Sequence, residues 1–126
     1  MASVPRVFVS ATSRDLGSYR KAVADALRSI DAHAVIQDEF PPDYRSVAAM
    51  LRGKIARCDA VICLVGGVYG AEPAERTADE PRRSYTQLEY ETADRLGKPI
   101  FVFVARDDCP RDHADDAPEA DELRGL

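Results

Sequence analysis

Apolar positions change period along the chain in a repeating rhythm, and that rhythm predicts the elements. Arg6-Val7-Phe8-Val9-Ser10 is a short β-rich run stopped by small polar residues, which reads as a buried strand. From Leu16 onward Tyr19, Val23, Ala26, Leu27 and Ile30 fall at helical spacing. Ala34-Val35-Ile36 is a second short strand, closed by Asp38-Glu39-Phe40-Pro41-Pro42, where two prolines forbid continued pairing. Val47, Met50, Leu51 and Ile55 mark a second amphipathic helix. Ala60 to Val65 is a continuous apolar run, expected to be buried on both faces, and it ends at Gly66-Gly67. Residues 68–83 form a long loop of Gly, Pro and charges. A third helix runs from about Ser84 to Leu96 with Gly97 as its C-cap, and Pro99 to Val104 reads as a fourth buried strand. Strands that alternate with helices and carry no polar face predict an open, doubly wound parallel α/β sheet. Right-handed crossovers favour strand order 2-1-3-4, with the fifth strand absent.

Composition narrows the partners. No apolar run approaches the ~20 residues that cross a bilayer, so no membrane partner is expected. No basic region leads into an apolar core at the N-terminus, so a cytoplasmic location is expected. Cys58, Cys63 and Cys109 lack CxxC spacing, and only His33 and His113 could join them, so neither a disulfide framework nor a metal site is expected. The net charge of -5 is uneven: residues 1–105 hold 14 basic and 14 acidic side chains, and residues 106–126 hold 3 and 8. The expected organisation is therefore a neutral domain over 1–105 and an acidic, largely mobile tail or linker over 106–126, leading to a missing domain. A neutral domain lacks the basic footprint that nucleic acid requires.

Candidate chemistry collects at one edge. In this fold ligands bind outside the carboxyl ends of the strands. That edge carries Ser10-Ala11-Thr12-Ser13-Arg14-Asp15, then Asp38 to Pro42, Gly66 to Gly70, and the start of the third helix at Ser84-Tyr85. Glu89 stands out, because it falls inside the apolar arc made by Tyr85, Leu88, Thr92, Ala93 and Leu96. Either the helix macrodipole holds it near the first turns, or it is a catalytic carboxylate at the crevice. Ser84 and Gln87 form a capping box. Ser10, Thr12 and Ser13 suit a phosphate or ribose, although Ser13 or Asp15 could equally cap the first helix. Arg14 could pair with a phosphate or with a surface carboxylate. Gly66 and Gly67 allow close backbone approach, Tyr69 and Tyr85 could stack on a base, and Phe40 is either a lid or a loop anchor.

These blocks resemble a known family. Val7-Phe8-Val9-Ser10-Ala11-Thr12-Ser13-Arg14-Asp15-Leu16 is similar to the VFVSST-x-RDL signature of the DUF4062 domain, a relative of the Toll/interleukin-1 receptor (TIR) fold. Gly67-Val68-Tyr69-Gly70, Ser84 to Glu91 and Leu96-Gly97-Lys98-Pro99 are similar to its G-x-YG, SYTELEYE and LGKP blocks, so the resemblance covers about residues 6–104. It implies a flavodoxin/TIR-like sheet at the N-terminus of a larger protein, ahead of a STAND-type NTPase or sensor region. Bacterial proteins of this kind look like immune or conflict effectors. Enzymatic TIR domains cleave the nicotinamide–ribose bond of NAD with a glutamate whose place Glu89 takes. Tyr85 stands where those enzymes commonly carry Trp, which this chain lacks.

The resulting expectation is an effector domain that binds and hydrolyses NAD as a substrate, with no cofactor. Glu89 would be catalytic, and Ser10, Thr12, Ser13, Arg14, Gly66, Gly67, Tyr69 and Tyr85 would hold the nucleotide. Self-association is expected through a stiff loop carrying Asp38, Phe40, Pro41 and Tyr44. Two alternatives stay open: a non-enzymatic self-associating signalling module, and a nucleoside-processing transferase.

Overall fold

The computed structural model describes residues 4–37, 40, 42–66, 72–80, 82–106 and 108–112. Its elements run β1 (Arg6–Ala11), α1 (Ser13–Ser29), β2 (His33–Val35), α2 (Tyr44–Ala56), β3 (Ala60–Val65), α3 (Tyr85–Arg95) and β4 (Ile100–Val104). All strands are parallel and lie in the order β2-β1-β3-β4, as the alternation predicts. The register sets Phe8 beside Val61 and Ser10 beside Cys63, with Cys63 in turn beside Val102.

Alternate strand residues feed two cores. Phe8, Val61 and Cys63 pack with Val47, Leu51 and Ile55 of α2 and with Leu88 and Ala93 of α3. On the opposite face Ala11, Leu64 and Ile62 pack with Leu16, Tyr19 and Val23 of α1. Thus α2 and α3 cover one side of the sheet and α1 the other, a three-layer sandwich. Asp43 caps α2 by accepting the Ser46 N–H at 3.0 Å. Gly97, at φ +67, ends α3 in the left-handed conformation that glycine adopts without strain.

Two expectations are corrected. Neither Ser13 nor Asp15 is the N-cap of α1. That residue is Thr12, which makes no side-chain cap bond, and the helix kinks at Leu16. β4 is not a buried strand either. Ile100 packs on the α2/α3 core, but Phe101, Val102, Phe103 and Val104 are all about half or more exposed. An uninterrupted apolar run signals two-sided burial only when layers cover both faces, and β4 lies at the sheet edge. Among the described residues no helix is long and apolar enough to cross a membrane.

Candidate functional site

Glu89 sits on the second turn of α3, facing the carboxyl ends of β1 and β3. Ser84 fixes the start of that helix: its hydroxyl accepts the Gln87 N–H at 3.1 Å, and the Gln87 side chain accepts the Ser84 N–H at 2.9 Å. This capping box holds the first turn rigidly, so the arc of Leu88, Glu89 and Ala93 turns onto the sheet. Glu89 is only 4% exposed. The Ser10 hydroxyl, at the end of β1 and fully buried, donates to Glu89 Oε1 at 2.7 Å.

Burial dominates the electrostatics. Loss of water pushes the Glu89 carboxyl up to about 8, against the Ser10 hydrogen bond and the charges of Arg20 and Lys54, which pull it down. The Cys63 thiol lies in the same pocket of charge. Burial and then the Glu89 charge push it up to about 11, while a hydrogen bond with Ser10 opposes them. Ser10 therefore serves Glu89 and Cys63 within the chain.

The surrounding walls come from three segments. Thr12 and Thr86 bring their hydroxyl oxygens to 3.5 Å, linking the β1–α1 turn to α3. Phe40 stacks on Tyr85 with ring centroids 4.1 Å apart and planes inclined by 17°. Both rings, with Tyr44, pack against the α2/α3 core, so Phe40 and Tyr44 are anchored within their own chain. The loop after β3 is tied down near α2: Glu75 exchanges backbone hydrogen bonds with Pro42 and Tyr44 at 2.9 and 2.8 Å, and Arg45 meets Glu80 at 3.3 Å. Arg82 holds Glu72, and Arg83 holds Glu91 at 2.6 Å.

Gly66 has a packing reason. A Cβ there would lie 2.3 Å from Asp15 Oδ2 and 3.0 Å from Leu16 Cδ1, so the glycine makes room for a buried carboxylate of the chain itself. Asp15 also meets Arg111, 3.7 Å away, from the segment after β4. That segment lies along α1 as a strap. Asp112 accepts the Ser18 N–H at 2.8 Å and the Ser18 hydroxyl at 2.6 Å, and its own N–H reaches the Asp15 carbonyl. The Tyr19 hydroxyl donates to the Pro110 carbonyl at 2.6 Å.

Residues 6–124 match the family described as Domain of unknown function (DUF4062). The chain belongs to this family. No curated protein and no solved structure matches it. In this DUF4062 domain the structure brings together Ser10, Thr12, Tyr85, Glu89 and Phe40, while Tyr44 stands at the start of α2 and Gly66 serves Asp15. The side chains of Ser13 and Arg14, and all of Asp38, Pro41, Gly67 and Tyr69, lie outside the described residues. Sequence reasoning passed over three contributors: Cys63, Arg20 and Lys54, all of which act on or with Glu89 electrostatically. The strand period could have flagged Cys63, two residues after Val61 on the α2/α3 face. Arg20 and Lys54 gave no signal beyond being two charges on amphipathic helices.

Proposed function

We propose that this domain is a TIR-like effector and signalling domain of a larger cytoplasmic protein, and that it hydrolyses NAD at the nicotinamide–ribose bond. The observation that carries this reading is a carboxyl group buried at the carboxyl edge of a parallel sheet and held by one serine. In that setting the ionised carboxylate, which predominates only above about pH 8 in the absence of a cation, would attract a cation far more strongly than it does in water. The nicotinamide ring of NAD is a cation, and the sugar carbon becomes cationic as the bond lengthens.

In the reaction the bond from the ribose anomeric carbon to the pyridinium nitrogen breaks, and its electron pair leaves with neutral nicotinamide. A water oxygen forms the new bond to that carbon and gives up a proton, leaving ADP-ribose. The leaving group needs no acid. Glu89 stabilises the oxocarbenium-like transition state, as carboxylates do in glycoside cleavage, and Ser10 orients it.

The test compares purified wild type with Glu89→Gln, measuring nicotinamide release. Gln conserves the size and the acceptor for Ser10, so the fold persists, while turnover is expected to fall by about 100-fold or more. A Gln variant with full turnover would remove Glu89 from the chemistry. A second reading, a non-enzymatic module that joins a second copy of the chain, is favoured by one observation, the open apolar strand β4.

A further inference from the structure

The α1 side of the sheet is covered unevenly. Residues paired across parallel strands share a face, so Phe101 lies beside Ile62 and Phe103 beside Leu64, all four on the side that α1 occupies. α1 packs over β1 and β2, and its Tyr19 and Val23 reach as far as the β3 pair. Leu64 is buried there, whereas Phe101 and Phe103 are 54% and 59% exposed. The chain itself returns to this open floor. After Ala105 leaves the sheet, the strap carries the backbone back to α1, where the Tyr19 hydroxyl holds the Pro110 carbonyl and Ser18 holds Asp112. At Asp112 the path stands at the start of α1, on the flank that Tyr19 shares with the open floor. Residues 113–126 follow outside the described residues, and the family match runs on to residue 124.

We propose that residues 113–126 dock on this chain's own sheet, as a helix in the groove between α1 and the α1-side face of β4, with Phe101 and Phe103 as its floor. The sequence suits the place. Pro118 fits a first helical position, and Ala120, Leu123 and Leu126 then share one arc of the helix. Asp121, Glu122 and Arg124 fall outside that arc, and Glu119 falls in the first turn, where the helix dipole favours an acid. The lengths agree as well. Nine residues from Pro118 make a helix of about 14 Å, against about 17 Å for the five residues of β4. Residues 113–117 then step from α1 to a neighbouring helix axis about 10 Å away, within the reach of five extended residues. Charge selects this occupant over a second copy. The segment carries five acidic side chains and one arginine, while α1 beyond its first turn carries Arg20, Lys21 and Arg28 against Asp25. A second copy presenting the same face brings like charge to like. The docked segment covers one face of β4 and leaves the outer edge and the face of Val102 and Val104 open.

The test uses the whole 126-residue chain with Glu122→Cys and Cys109→Ser, and a nitroxide spin label on the thiol at position 122; Cys58 and Cys63 are buried. The label is expected to bleach the amide NMR signals of Phe101, Phe103 and Val23 while sparing Leu51 of α2, across the sheet. Adding Leu123→Asp is expected to bring the bleached signals back with the rest of the spectrum unchanged. Weak bleaching spread over the whole domain means an undocked segment and overturns the proposal, as does bleaching that survives Leu123→Asp. Spin-labelled chain is also mixed with isotope-enriched chain that carries no label, whose signals are expected to stay intact. Their loss at Phe101 and Phe103 would give the groove to a second copy and overturn the proposal equally. None of these readouts depends on NAD cleavage, so the two readings stand or fall separately.

Discussion

A carboxyl group that gives up water for a single hydroxyl partner pulls against the stability of its own domain, and Glu89 does so in a pH-dependent way. Its proton is held to about pH 8 in the folded chain, against an ordinary value of 4.5. Between those two values the unfolded chain has lost a proton that the folded chain keeps, so stability falls as pH rises. The slope is at most about 1.4 kcal/mol per pH unit, and the effect flattens above about pH 8. Glu89→Gln removes the titration. Urea midpoints of wild type and variant should therefore diverge from pH 5 to pH 8, with the glutamine protein the more stable at the upper end. Parallel midpoints across that range would mean that Glu89 ionises as an ordinary surface acid. Glu89 was legible in the sequence because helical period alone places it among apolar residues. The neighbouring assignments were less so: a strand-end serine reads the same whether it faces a ligand or a glutamate. The glycine after β3 likewise reads as ligand approach until Asp15 is seen filling the space.

Elements show the same division. Six segments were legible because each spans at least five residues, enough for its pattern to register, while three-residue β2 showed only as a short apolar run ahead of two prolines; the order followed from handedness. The start of α1 was not, because its cap comes from more than ninety residues away. Thr12 leaves the first turn without a side-chain cap, the backbone kinks at Leu16, and Asp112 then accepts the Ser18 N–H as an N-cap supplied by another segment. No local motif announces a cap of that kind. Asp112→Ala should cost about 1–2 kcal/mol, the usual range for losing a helix cap with a charged acceptor. Hydrogen exchange would register it as faster exchange at Ser18 with the β1 and β3 amides unchanged. Undiminished protection at Ser18 would show that the strap is incidental to the helix. Because Arg111 meets Asp15 behind Gly66, the strap also bears on the β1–α1 turn that leads to Thr12.

At the scale of the molecule, the edge that carries Glu89 is bounded, among the described residues, by the β1–α1 turn at Thr12, by the start of α3 and by the Phe40–Tyr85 pair. On the proposed NAD-cleaving reading, a neighbouring copy would complete the site, and proximity between copies would control activity. NAD cleavage per molecule should rise with protein concentration, and rise further when the domain is fused to an oligomerising tag. Constant, appreciable specific activity over the whole range would identify a self-sufficient monomer. Silence even when clustered would favour the non-enzymatic module. Strand β4 bears on the same question from another side. Ile100-Phe101-Val102-Phe103-Val104 contains no charge, no proline and no glycine, and its last four side chains lie open. A bare segment of that composition is a template for cross-β stacking. Lys98 and Pro99 before it, and Arg106 and Asp108 after it, are the charges and the proline that flank it as gatekeepers against such stacking.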